Sequence, residues 1–259
     1  MVKSHTRKWT QVDKMKKARE ILQENIHNLI KDQDTFFKNV KPLNKRNTFT
    51  GPSVYFHQQA IECVRSTDDY EKLLDNIVFL EYIYATLTAW GMHRMGPTGA
   101  KMVDFEVFKK SVHENKETII QLSKYKLHEL DEKELDGIMN QLHHLFDGIK
   151  IMKSSIKLVG NSKVMHHLLP DLIPPIDRQY TLKFFYGGYH IPKNQEQEEA
   201  LFFDTLKEFW KICQVLELKD NDFKGKGSFT TSIPKMIDNA IIGYLKGKKG
   251  VEQSQINKK

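Results

Sequence analysis

Residues 66–92 read STDDYEKLLDNIVFLEYIYATLTAWGM and carry the strongest helical pattern in the chain. Ser66 and Asp69 stand three residues apart, as in a capping box that begins a helix. Further along, apolar residues occupy every side of the helix, which is typical of a helix that other elements cover. The stretch therefore predicts a central, buried helix around which the rest of the chain packs.

Glu81 interrupts the apolar part of this helix. On a helical wheel it falls on the same face as Leu74, Ile77 and Tyr84, and a buried carboxylate requires a partner. Candidates for that partner are His93 or Arg94, beyond the far end of the helix. The alternative is that Glu81 reaches an exposed strip.

Helical spacing of apolar residues continues on both sides of this stretch, and no sustained two-residue alternation indicates a strand. The sequence predicts an all-α fold, a compact multi-helix domain over residues 1–247, with two possible lobes at 1–125 and 126–247. Residues 248–259 are predicted to form a basic, flexible tail. Besides residues 66–92, helices are predicted at 10–32, 53–64, 103–115, 116–125, 131–147, 195–218 and 233–246, with shorter ones around residue 160 and at 176–186.

The composition is ordinary for a globular domain, because 39% of the 259 residues are hydrophobic and 28% are charged. No apolar run reaches the roughly 18 residues that span a bilayer, and the start, MVKSHTRKWTQ, lacks the apolar segment of a secretory signal. Two cysteines do not build a disulfide framework. A cytoplasmic protein without a membrane partner is expected, and the oligomeric state is left open.

The net charge is +7, with a pI near 9.1. An excess of Lys and Arg is compatible with a polyanionic partner such as DNA. Much of the excess lies near the two ends of the chain, where it also serves solubility.

Residues 157–188, KLVGNSKVMHHLLPDLIPPIDRQYTLKFFYGG, place an ammonium and a carboxylate in a short and otherwise apolar unit. Gly160 and Asn161 favour left-handed dihedrals and predict a tight turn between two helices. Ser162 and Lys163 would then begin the second helix, where free amides bind a phosphate. Asp177 follows a proline-rich bend and is placed to cap the next helix.

This unit resembles the core of the helix-hairpin-helix DNA glycosylase superfamily over about 35 residues. Lys163 matches the hairpin lysine, and Pro175-Ile176-Asp177 matches the segment that ends in the catalytic aspartate. The resemblance implies that Gly160, Asn161, Ser162 and Arg178 contact the DNA backbone. It also implies that Asp177 stabilises the sugar cation and, in bifunctional members, that Lys163 forms a Schiff base with the sugar.

Two further motifs predict the walls of a pocket. Residues 89–102, AWGMHRMGPTGAKM, offer Trp90 for stacking and His93 with Arg94 for hydrogen bonds. Residues 50–57, TGPSVYFH, offer Tyr55 and His57 near the start of a helix. A structured turn and core aromatics are the alternatives. With VMHHLLPDLIPPIDR, these motifs also make the whole chain similar to an uncharacterised microbial protein family, a likeness that implies no activity.

Neither a metal nor a cofactor is expected. The eleven histidines include the adjacent pairs His143-His144 and His166-His167, and neighbours on a helix point about 100° apart, so one pair does not chelate easily. The sequence contains no P-loop, no Gly-x-Gly-x-x-Gly and no Gly-x-Ser-x-Gly.

The function predicted from these features is that of a DNA-binding, glycosylase-like repair protein that acts on a flipped-out base, with or without lyase activity. Lys163 and Asp177 would break the bond, in a pocket formed by Tyr55, His57, Glu81, Trp90, His93 and Arg94. Two alternatives remain open. One is a non-enzymatic nucleic-acid-binding or interaction protein in which Ser162 and Asp177 are helix caps. The other is a small-molecule enzyme that uses His93, Arg94 and Glu81.

Overall fold

The computed structural model describes residues 20, 23–45, 51–92, 101–187, 195–224 and 229–256. The fold is all-α, as predicted, and within these ranges the extended pairing is a single bridge between Met102 and Met152. Residues 23–29 are helical. The helices that follow are α1 (Gln33–Lys45), α2 (Pro52–Ser66), α3 (Tyr70–Asp75), α4 (Ile77–Ala89), α5 (Phe105–Glu114), α6 (Lys116–Leu122), α7 (Glu132–Gly148), α8 (Leu158–Leu168), α9 (Thr181–Tyr186), α10 (Gln195–Val215) and α11 (Ile233–Ile256).

One hydrophobic cluster joins the two predicted lobes, because its members extend from Leu29 to Leu245. Helices α1 and α11, from opposite ends of the chain, pack closely against each other, and α2 packs against α4. At the closest point of the first pair, Gly243 of α11 faces the backbone of Asn39 in α1. A side chain at 243 would separate the two helices, so glycine is required there for close approach.

The single central helix predicted over residues 66–92 is in fact α3 and α4, separated at Asn76. Asn76 has extended dihedrals, and its side-chain oxygen accepts a hydrogen bond from the Val78 amide at 3.0 Å, which caps α4. The predicted capping box at Ser66 is wrong, because Ser66 ends α2. Asp69 alone caps α3, accepting a bond from the Lys72 amide. Local capping by Asx side chains thus breaks a pattern that periodicity alone reads as continuous.

Two helix boundaries lie elsewhere than the sequence predicts. Helix α1 covers residues 33–45, which lie between the helices predicted at 10–32 and 53–64. Its first turn is held by Asp32, whose carboxylate accepts a bond from the Thr35 amide at 2.6 Å. Helix α11 begins at residue 233 as predicted but continues to Ile256. Residues 248–256 are therefore helical and not part of a flexible tail.

The tight turn predicted at Gly160–Asn161 is wrong. Both residues lie inside the continuous helix α8, and neither has a positive φ. The connection from α7 is the longer segment 149–157, whose strand-like part pairs with residues 101–103 through the Val103 amide and the Ile151 carbonyl at 2.9 Å. The structure therefore contains a helix, a loop and a helix here, without the predicted hairpin.

Among the described residues, we find no helix with the length and apolarity needed to cross a bilayer.

Candidate functional site

Helix α8 is fixed by buried polar contacts that explain its unusual sequence. The Asn161 amide donates to the carbonyls of Phe146 and Ile149, at 2.7 and 3.0 Å, and so satisfies the end of α7. A Cβ on Gly160 would lie 2.7 Å from Cγ of Met152, so the glycine serves close packing. The Ser162 hydroxyl accepts a bond from the Ile176 amide at 3.2 Å.

The predicted phosphate-binding role of Gly160, Asn161 and Ser162 is therefore wrong. All three residues are buried, and the Asn161 side-chain NH2 and the Ser162 hydroxyl bind other parts of the protein. The start of α8 is itself occupied by Glu198 of α10, whose carboxylate accepts a bond from the Lys157 amide at 2.7 Å. Burial raises the pKa of Glu198 and the Lys157 and Leu158 amides oppose that shift. A phosphate therefore has no place at this helix end.

One cleft of about 720 Å³ brings Lys163 and Asp177 together. Its walls are the end of α4, the exposed side of α8, the loop before α9 and the first half of α11. Trp90 and Tyr180 provide aromatic surface. The ionisable residues that line it are Lys163, Asp177, Arg178, Lys235, Asp238 and Lys246. Four cations and two carboxylates give the cleft a net positive charge, which suits an anionic ligand.

The Lys163 ammonium lies 5.1 Å from the centre of the Trp90 ring, in a cation–π contact. Its side chain is half-buried, and among the described residues no carboxylate oxygen lies within 4.0 Å of it. Burial lowers the pKa of Lys163 below its ordinary value, while Asp177 and Asp238 oppose this shift. An amine in such surroundings loses its proton more easily than a surface lysine, as a nucleophile requires.

Asp177 closes the turn before α9 and does not cap the helix as predicted, because α9 begins at Thr181 with Tyr180 at its N-cap position and no side-chain cap. Its Oδ1 accepts a hydrogen bond from the Tyr180 amide at 2.7 Å. The Asp177 amide in turn donates to the Thr181 hydroxyl at 3.2 Å. This hydrogen bond fixes the carboxylate at the wall of the cleft. Asp177 can therefore hold the turn and also face a ligand in the cleft.

Sequence reasoning missed several cleft residues, Tyr180, Lys246 and, most notably, Lys235 and Asp238. The last two form an ion pair with 2.5 Å between Nζ and Oδ2, and both side chains are almost fully buried, at 3% and 4% exposure. Lys235 also lies 4.2 Å from the centre of the Phe229 ring. The available signal was a Lys and an Asp three residues apart within an apolar run, IPKMIDNAII. Charged residues are rarely buried without a partner. A Lys and an Asp three residues apart lie on one helix face, so this spacing predicts an ion pair.

Three buried histidines form the wall behind Lys163 and Trp90. The Nδ1 of His167 lies 2.7 Å from the Lys163 carbonyl oxygen and therefore carries the hydrogen. Its Nε2 then accepts a bond from Nδ1–H of His57, at 2.9 Å. His166 donates from Nδ1 to the Ile173 carbonyl at 2.7 Å, and its Nε2 is without a partner among the described residues.

All three histidine rings are held neutral. Their side chains are fully buried, and burial lowers the pKa of His57, His166 and His167, the last to about 4. The charge of Lys235 adds to the shift at each ring. The rings of His57 and His167 lie 5.6 and 5.5 Å from that of Trp90. The cluster thus sets the position of the aromatic wall and is not itself exposed to a ligand.

Only some of the other predicted residues line the cleft. Trp90 and Arg178 line the cleft. Tyr55 is 53% exposed and Glu81 is exposed, and neither lines it, so their assignment to the pocket is wrong. Their helices turn these positions toward solvent, as the alternative for Glu81 supposed. His93 and Arg94 lie outside the described residues.

Within the described ranges, His128, Glu129 and Asp220 place ligand atoms close enough together for a metal ion. The Lys126 ammonium already bridges the two carboxylates, at 3.0 Å from Glu129 and 2.7 Å from Asp220. Because a cation of the protein neutralises this cluster, we assign no metal to it.

The chain was compared with family models, curated proteins and solved structures, and none of them matches it.

Proposed function

We propose that the cleft receives a nucleotide flipped out of DNA and that Lys163 and Asp177 cleave its glycosidic bond. One observation carries the proposal: the half-buried amine of Lys163, without a carboxylate partner within 4.0 Å among the described residues, lines the same cleft as Asp177. The resemblance of this segment to helix-hairpin-helix glycosylases supplies the reaction class. The absence of the hairpin means that any backbone phosphate must be bound elsewhere.

Arg178 and Lys246 are the groups suited to that phosphate. Both line the cleft and are half-buried. Lys246 also lies 5.9 Å from the Tyr180 ring centre. A guanidinium binds a phosphate through two parallel hydrogen bonds, and a flexible ammonium adds a second charge. Trp90 and Tyr180 would stack on the base, since aromatic faces bind every base.

The proposed chemistry uses the neutral amine of Lys163. The amine attacks C1′ of the sugar, and the C1′–N bond breaks with its electron pair leaving on the base, which takes up a proton. Ring opening and loss of the amine proton then leave a Schiff base between Lys163 and the sugar. The Asp177 carboxylate would stabilise the positive charge that develops on the sugar as the bond breaks.

A non-enzymatic nucleic-acid-binding protein is the second candidate. The observation in its favour is that Oδ1 of Asp177 is engaged as a cap of the Tyr180 amide. In that case, the cationic cleft binds an unpaired base without cleaving it. The two candidates differ in whether a covalent adduct forms, which the following experiment decides.

Borohydride is expected to trap a covalent adduct between the protein and duplex DNA that contains an abasic site or a damaged base. Borohydride reduces the Schiff base to a stable secondary amine, so the adduct appears on a denaturing gel. Lys163→Ala should abolish it, whereas Lys153→Ala, at an exposed lysine of the 149–157 loop, should not. No adduct with any substrate in a panel would refute the lyase step.

Asp177→Asn is expected to reduce base release by about 10²-fold or more, since it removes a charge that stabilises the transition state. Asparagine caps a helix as well as aspartate does, so the fold around Tyr180 should be retained. Circular dichroism melting of the variant checks the fold, and release of base from a labelled oligonucleotide measures the activity. If Asp177→Asn releases base at the wild-type rate, Asp177 has no catalytic role and serves only to hold the turn at Tyr180.

DNA binding is expected to weaken steeply with salt, because phosphate contacts release condensed counterions. Arg178→Ala and Lys246→Ala should each lower the slope of log K against log salt by about 0.9, the value for one phosphate contact. Lys183→Ala, on α9 and outside the cleft, is the control. Fluorescence anisotropy between 50 and 200 mM salt measures the slope, and no binding at about 50 mM would refute both candidates.

A further inference from the structure

Two of the lysines that line the cleft, Lys163 and Lys235, differ in how they are paired with its two aspartates. Lys235 and Asp238, on one face of α11, are in direct contact at 2.5 Å. The hydroxyl of Thr181 lies 3.5 Å from the other oxygen of Asp238. Lys163, on the facing helix α8, contacts the Trp90 ring instead. Without Lys235, the nearby Asp238 carboxylate would be a buried charge in need of a cation, and Lys163 would be available to it.

We propose that Lys235 is a positioning residue for Lys163: by holding Asp238 in a buried ion pair, it keeps that carboxylate from capturing the Lys163 ammonium. The inference rests on the proposed function, because an unpaired amine matters only where it attacks a substrate. It also gives a reason for two buried charges on a helix that would pack more simply with apolar residues.

The groups that face Lys163 come from four elements. Asp177 lies on the loop before α9, Asp238 and Lys235 lie on α11, Trp90 ends α4, and His167 lies one turn further along α8. The neutral ring of His167 and the capped carboxylate of Asp177 are held by their own hydrogen bonds. A single substitution at Lys235 or Asp238 therefore changes the net charge that faces Lys163.

Competitive acetylation by acetic anhydride tests this on the protein without DNA, since only neutral amines react. The pH at which Lys163 becomes reactive is read from peptide mass spectra, with exposed Lys153 as an internal reference. Lys235→Met should raise that pH by about one unit, which is a tenfold loss of reactive amine at a fixed lower pH. Asp238→Asn should lower it, because Lys235 then faces Lys163 as an uncompensated cation. The double variant should return toward the wild-type value.

Opposite shifts in the two single variants, with recovery in the double variant, are the expected result. An ion pair that does not act on Lys163 predicts no such sign change, so shifts of the same sign, or none, would overturn the inference. If Lys235→Met does not fold, the isosteric Asp238→Asn decides alone, and an unchanged or raised pH refutes the proposal. If the acetylation shifts are as expected but the protein gives neither a borohydride adduct nor base release on DNA, the proposed function is refuted while the proposed pairing of Lys235 with Asp238 stands.

Discussion

Acidification from pH 7 to pH 5 is expected to remove up to about 6 kcal/mol from the free energy of unfolding, a large part of what a typical domain has. The cause is the cluster of His57, His166 and His167, which are fully buried and neutral in the folded protein. In the unfolded chain each has an ordinary pKa near 6.5. The unfolded state therefore binds up to three more protons than the folded state below that pH.

The direction of the effect follows from the lowered pKa values. Stability from these histidines is fully present above about pH 6.5 and is lost as pH falls toward the folded values, which is about 4 for His167. Each ring contributes up to about 1.4 kcal/mol per pH unit, so three give about 4. Asp238 and Glu198 act in the opposite sense, because burial raises their pKa values and the folded protein then holds their protons more tightly than the unfolded chain.

Urea unfolding at a series of pH values between 7.5 and 5 measures this loss, and its slope gives the number of protons taken up. His166→Phe should reduce the slope by about one proton. The matched control is His144→Gln, at an exposed position of α7, which should leave the slope unchanged. A midpoint that does not move between pH 7 and 5.5 would contradict the neutral, buried state of the cluster.

Gly243→Ala is expected to destabilise the protein by about 3 kcal/mol, through overpacking of α1 against α11. A Cβ at this position would lie 1.9 Å from the Asn39 carbonyl oxygen and 2.9 Å from its carbonyl carbon. These are backbone atoms, so no side-chain rotation relieves the clash and the two helices must move apart. The gain in helix propensity, up to about 1 kcal/mol, offsets only part of the cost.

Gly247→Ala, one turn further along the same helix, is the matched control. No heavy atom lies within 4 Å of a Cβ built there. It should stabilise by about 0.5–1 kcal/mol, the usual gain when alanine replaces glycine in a helix. Thermal melting should therefore move in opposite directions, down by about 6 °C or more for Gly243→Ala and slightly up for Gly247→Ala. Upward shifts in both would show that α1 and α11 are not in contact at Asn39.

The helical class and most helix positions were predictable because amphipathic spacing and caps are local properties. Helices α5, α6 and α7 lie within a few residues of their predicted bounds. Gly187 ends α9 in the left-handed conformation, directly after the predicted helix end at residue 186. The break at Asn76 was not predicted, because the choice between a continuous and a capped helix depends on which neighbours cover it.

The sequence also singled out Lys163 and Asp177, which line the same cleft, but the hairpin predicted around Lys163 is absent. Gly160 and Asn161 are typical turn residues, yet Met152 packs on the glycine and the Asn161 amide caps the end of α7. Both contacts come from residues that tertiary packing brings close. Turn propensity is worth too little to outweigh them.

The sequence by itself determined the all-α class, because amphipathic spacing depends on residues close together in the chain, and its resemblance to the glycosylase core singled out Lys163 and Asp177 as a hypothesis. Only the tertiary structure decided which charges share the cleft. It brought Lys235 and Asp238 to Lys163 from across the fold, and it turned Tyr55 and Glu81 outward. The physical reason is that the protonation state and the pairing of an ionisable side chain depend on its burial and on its neighbours in space. The local spacing of residues in the sequence determines neither.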